Sequence, residues 1–218
     1  MSEPSSAPAP PPPAGSTAWF VVLYAGSRGV LLQTLFALAG ELAASFDPAQ
    51  DHQVAHLRLA WWQEEVDRAA RGEARHPYTR ALQHTALELP GLLSAAQLQL
   101  ARDALPAASA QRLPAAPFER AVFLGAAQLL HGSPLPGPSL AAVRSWAEHL
   151  TPSLPDGEVQ AAAPSWPAAP ALAALAVWIA LARRRGFSPH ATARGWQLLK
   201  DNLRAWRAAC RAARGRFA

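Results

Sequence analysis

Residues 47–78 read DPAQDHQVAHLRLAWWQEEVDRAARGEARHPY and decide the fold. Ala55, Leu59, Trp62, Val66 and Ala69 recur at spacings of three and four. That period lays one apolar stripe along a helix. His52, Arg58, Glu65 and Arg68 fall off the stripe. Asp47 can cap the helix start, with Pro48 at its first position and Gln50 at its third, close to a capping box. Nothing breaks the pattern before Arg71, and Gly72 ends it. His76-Pro77 opens the next helix. A helix this long with one apolar stripe must be covered by other helices, so the spacing predicts an α-bundle.

Working outward, the chain is punctuated into further helices. Ser16 to Ala25 begins one, Gly26 and Gly29 bracket Arg28 in a turn, and Val30 to Ala44 forms a second with Leu31, Leu35, Leu38 and Leu42 inward. Glu41 sits among those apolar neighbours, as a rim residue or as a pocket carboxylate. After the organising helix, Pro77 to Glu88, Ser94 to Leu105, a segment introduced by Pro114 and Pro117 and ending at Gly132, and Ser139 to Leu150 read as helices. Pro90-Gly91, Gly132 and the segment SPLPGP separate them. Thr151 to Pro170 is rich in Pro, Ala and Ser and reads as a long loop. Ala171 to Ala182 is apolar on all faces, as a central bundle helix should be, and is shorter than the roughly 20 residues a bilayer span needs. Ser188-Pro189 precedes a final helix. Its Trp196, Leu199, Leu203, Trp206 and Cys210 form an expected inner stripe, and Lys200, Arg204, Arg207 and Arg211 an expected outer face. No strand pattern and no internal repeat interrupts this series. The expectation is an all-α, single-domain bundle over residues 16–218, preceded by a Pro-rich tail, 1–15, too poor in apolar bulk to order itself.

Composition sets the limits. The 218 residues suffice for one domain with a sizeable core. The single Cys210 excludes an internal disulfide and a cysteine-based zinc site. It fits a reducing, cytoplasmic setting. No signal-peptide pattern opens the chain. The net charge of +5 conceals a division: residues 1–182 carry ten basic and fourteen acidic side chains, and residues 183–218 carry ten basic and one acidic. Arg183, Arg184 and Arg185 begin this basic tail. It suits an anionic membrane surface, with peripheral attachment at an inner membrane, or an acidic protein partner. Nucleic acid is not expected, because the tail's Trp residues fall on the stripe assigned to the interior.

The segment "RLAWWQEEVDRAARGEARHP" resembles squalene/phytoene synthase-like proteins, in which an Arg-x-x-Trp-Trp helix with acidic residues runs into a Gly-x-x-x-His-Pro turn. "LFALAGELAASFDPAQDHQVAH" is similar to a short bacterial branch of that family and, more distantly, to an assembly factor of mitochondrial complex I. The resemblance covers Leu23 to Leu82. It implies a truncated isoprenoid synthase fold. In the family's enzymes, two Asp-x-x-x-Asp motifs on facing helices hold Mg²⁺ ions that draw off a diphosphate. This chain departs from that pattern. The two leading Asp positions of the first motif read Ala43 and Ala44, the neighbouring Arg reads Gly40, and only Asp47 matches the last Asp. Beyond Leu82 the Asp residues are Asp103, Asp156 and Asp201, none paired at helical spacing. The expected function is therefore a degenerate homologue acting as a binding or assembly factor, with an isoprenoid as a possible ligand class. The alternative is a working transferase on prenyl diphosphates, with Mg²⁺ held by unrecognised ligands such as Glu41, Asp47, Asp51, Glu64 and Glu65. Arg58 joins these as a pocket candidate. The pair Asp47 and Asp51 also reads Asp-x-x-x-Asp, and His52 with His56 has the spacing of a one-face zinc pair, but both suit a helix start better.

Overall fold

The computed structural model describes residues 9–46, 51–151, 170–185, 188–189 and 196–214. Among them there are ten α-helices and no strand. The helices are α1 (Thr17–Leu23), α2 (Gly29–Ala43), α3 (His52–Ala70), α4 (Pro77–Leu82), α5 (Leu89–Asp103), α6 (Ala107–Ala110), α7 (Pro117–His131), α8 (Gly137–Leu150), α9 (Ala173–Arg185) and α10 (Trp196–Ala213). The all-α, single-domain bundle expected from the sequence is the fold observed.

The apolar stripe of α3 is its buried face: Ala55, Leu59, Trp62, Val66 and Ala69 all face the core, with Leu32, Leu35, Leu38 and Leu42 of α2 in the same cluster. Gly72 ends α3 with a positive φ of 78°. Its N–H donates to the Ala69 carbonyl at 3.0 Å, and the Glu73 N–H to the Arg68 carbonyl at 2.9 Å. This pair of bonds satisfies the last turn's carbonyls and needs a left-handed residue, which glycine supplies without strain. The start of α3 differs from the expectation. Asp51 is the capping residue, its Oδ1 accepting the Gln53 N–H at 2.7 Å. Asp47 lies outside the described residues.

Two boundaries also move. Helix α4 stops at Leu82 rather than Glu88, and Pro90 lies in the first turn of α5 instead of ending α4. A proline at a helix start loses no hydrogen bond, so Pro90 opens what it had been expected to close. Ser94 is accordingly inside α5 and caps nothing.

Helix α9 is the central helix its composition predicts: Leu175, Trp178, Ile179 and Leu181 are fully buried. Trp178 meets Phe36 of α2 and Phe123 of α7 edge to face, at 5.6 and 5.2 Å between ring centres. Such contacts add about 0.5–1.5 kcal/mol each beyond area burial. The stretch Gly26–Phe46 is long and apolar enough, by length and composition alone, to cross a membrane, and half of it is buried inside the bundle.

Helix α10 overturns the expected inner stripe. Its buried residues are Asp201, Ala205, Ala208 and Ala212. Leu203 and Trp206 are 50% and 54% exposed. The reason lies in the partner surface. Ala208 and Ala212 pack with Ala173, Ala176 and Ala180 of α9, and Ala205 with Val177, Leu181 and Phe20. A close seam of small residues has no room for an indole, so the larger apolar side chains turn outward. Nothing is described of the side chains of Trp196 and Leu199. With Trp206 outward, its supposed inward placement ceases to count against a nucleic-acid surface.

Residues 9–15, placed by sequence in the Pro-rich tail, include a buried Ala9 whose carbonyl accepts from Gln33 of α2. The expected loop from Thr151 to Pro170 falls, apart from its ends, outside the described residues.

Candidate functional site

The segment from Leu23 to Leu82 is built around one carboxylate. Glu65 was placed off the apolar stripe by sequence, yet it is fully buried. Its Oε1 accepts the backbone N–H of Arg75 at 2.8 Å, the backbone N–H of His76 at 2.7 Å and the Thr79 hydroxyl at 2.6 Å. Its Oε2 accepts the Arg68 Nε–H at 3.0 Å. Arg68 itself is half-covered and also reaches the exposed Glu64 at 3.5 Å. Charge-assisted bonds of this kind are short and strong. Four of them satisfy most of what one carboxylate can accept. Burial pushes the Glu65 carboxyl up, but the bonds from Thr79, His76, Arg75 and Arg68 together hold it below the ordinary carboxylate value. Glu65 is thus an anion at neutral pH that pins the Gly72–His76 turn against α3 and sets the entry of α4.

His76 completes the corner. Its backbone is extended, its Nδ1 accepts the Tyr78 N–H at 3.3 Å, and Pro77 begins the helix behind it. This assigns the proton of the neutral ring to Nε2. The ring stands edge-on to Trp62 and Tyr78, with centres 4.9 and 4.8 Å apart. Burial lowers the His76 pKa, against opposing pulls from Glu65 and Glu41. Trp62 lies inside the core, whereas Trp61 beside it is 45% exposed. The two tryptophans therefore have different tasks: one packs the core and the other covers the His76 corner from outside.

The remaining candidates do not converge. Glu41 is exposed on α2. Asp51 caps α3. Arg58 is half-buried, and its Nη1 donates to the Ala44 carbonyl at 3.4 Å, tying α3 to the end of α2. His52 and His56 are exposed and meet edge to face. Among the described residues, no three His, Cys, Asp or Glu side chains come together as metal ligands. Among the described residues, the one buried carboxylate of the segment already accepts from four protein donors and the other acids are dispersed, so they offer no fitting donor set for the Mg²⁺ ions that the resemblance implies. A groove of about 170 Å³ lies between α5, α7 and α8, lined by Leu87, Glu88, Gly91, Gln128 and Arg144 among others. Drug-sized ligands usually occupy roughly 300–1,000 Å³, and none of the candidate acids lines this groove.

The basic candidates also divide. Arg183 lies over the Trp146 ring, 5.4 Å from its centre. The side chains of Arg184 and Arg185 are outside what is described. Arg204 is half-buried and pairs with the buried Asp201 at 2.8 Å, so its charge is compensated within α10. Lys200, Arg207 and Arg211 are exposed, and Arg214 joins them.

Comparison with protein-family models, with curated proteins and with solved structures gives no match.

Proposed function

We propose that this chain is a squalene/phytoene synthase-like protein that has kept the family's helical frame without its chemistry and acts as a binding or assembly factor. One observation carries the reading: Glu65, the only buried acid of the synthase-like segment among the described residues, is held by four donors of its own chain. A carboxylate so engaged has little capacity left for a metal ion, and releasing it would leave buried N–H groups unpaired. The substitutions Ala43 and Ala44 at the leading acid positions point the same way. A diphosphate brought to this bundle would meet no opposing pair of acidic clusters among the described residues to hold its counter-ions. The test is release of inorganic diphosphate from farnesyl and geranylgeranyl diphosphate by purified protein with Mg²⁺. The expected rate equals that of the protein-free blank. Mg²⁺-dependent turnover that disappears in Asp51→Ala would establish the transferase instead.

A further inference from the structure

The outward face of α10 combines three features that the core does not use. Leu203 and Trp206, one turn apart, project from the bundle. Lys200, Arg207 and Arg211 are exposed along the same helix and Arg214 just past its end, and among the described residues none of the four is joined to a carboxylate. The one acid of the tail, Asp201, is turned inward and pairs with Arg204. At 100° per residue, Leu203 and Trp206 flank the direction opposite the Ala205–Ala208–Ala212 seam, and Arg207, Lys200 and Arg211 follow on one flank. On the other flank, Asn202 accepts from the Tyr24 hydroxyl at 3.4 Å. This brings the end of α1, with its exposed Leu23, beside α10.

We infer that this face is an interfacial lipid-docking surface: Leu203 and Trp206 enter the headgroup–acyl boundary of an anionic bilayer, and Lys200, Arg207, Arg211 and Arg214 meet its phosphates. The geometry favours lipid over other anionic partners. The face is an exposed side of a helix, which a fluid bilayer accepts without a matching groove. Tryptophan suits the boundary, where its ring is in apolar surroundings and its N–H stays near polar groups. Among the described side chains of α10 the one exposed Trp has an aliphatic neighbour, a poor track for successive stacked bases. The charge is of one sign, as adsorption to an anionic leaflet requires. The inference stands whether or not the chain is catalytically silent.

The experiment is sedimentation of the full chain with phosphatidylcholine vesicles, with and without phosphatidylglycerol, at low and high salt. It is repeated for Leu203→Gln/Trp206→Gln and for Arg207→Gln/Arg211→Gln. All four positions are exposed, so circular dichroism and unfolding midpoints should match the parent chain. The expected result is binding to anionic vesicles alone, weakened by salt. The arginine pair should lose affinity by about tenfold or more, since each cation near an anionic surface contributes roughly fivefold. The Leu203/Trp206 pair should lose a similar factor. Brominated acyl chains should quench fluorescence of the parent more than that of Trp206→Phe. Absent binding, equal binding to neutral vesicles, or a Leu203/Trp206 variant that binds like the parent would each overturn the inference. So would binding to an oligonucleotide or an acidic polypeptide without binding to vesicles.

Discussion

The Glu65 carboxylate and the His76 backbone N–H are 2.7 Å apart, joined across eleven residues of chain. This bond, with those from Arg75 and Thr79, makes the turn after α3 part of the core. Substituting Glu65 tests how much of the fold depends on it. Glu65→Ala leaves several donors without a partner and should lower stability by about 3–5 kcal/mol. Glu65→Gln keeps one acceptor oxygen and should cost about 1–3 kcal/mol. Urea unfolding midpoints measure both.

Acid should weaken the same corner in two stages. His76 has a folded pKa below its ordinary 6.5, because burial disfavours the charged ring. The unfolded chain then binds the proton more readily, so this contribution is complete above pH 6.5 and fades as pH falls through the lower folded value. Glu65 behaves likewise below its ordinary 4.5. Unfolding midpoints should be level near neutrality, fall below pH 6.5 and fall again below pH 4.5. His76→Asn, which retains a capping side chain without a titrating ring, should remove the first decline. Glu65→Gln should remove the second.

Adjacent tryptophans should respond differently. Trp62 is 4% exposed and Trp61 45%. Trp62→Ala opens a core cavity and should cost about 3–5 kcal/mol. Trp61→Ala loses edge contacts to Trp62 and His76 and should cost about 1 kcal/mol or less. Thermal unfolding of the two variants decides it.

Gly132 ends α7 at a φ of 79°, under the Arg28 guanidinium. A Cβ there would sit 2.8 Å from Arg28 Cζ. Gly132→Ala therefore combines left-handed strain with a displaced arginine and should destabilise by about 1–3 kcal/mol. If Arg28→Ala restores most of that loss in the double variant, the collision is the larger part.

The α3 stripe and the central helix α9 were legible because each follows a period or composition that admits one burial pattern. Gly72 and Gly132 were legible as helix ends because left-handed caps favour glycine. Glu65 was not. A glutamate on a polar helix face reads as solvated, and two of its four donors are backbone N–H groups in a turn ten and eleven residues later, invisible to side-chain pattern. Arg68 and Thr79 were the side-chain hints. The α10 face was misread for a different reason. Its largest apolar residues define the strongest stripe, but α9 presents alanines, and the seam was set by fit. Arg204 illustrates the same gap: its pairing with Asp201 depends on which side of α10 is buried.

The central claim, that Glu65 braces the turn after α3 from inside the bundle, is tested most directly by coupling Glu65 to Thr79. Their side chains meet at 2.6 Å in a buried site. Unfolding free energies of the parent chain, Glu65→Gln, Thr79→Val and the double variant close a thermodynamic cycle. The brace predicts a coupling of about 1–2 kcal/mol, the double variant being less destabilised than the sum of the single ones. Effects that add to within about 0.5 kcal/mol would contradict it.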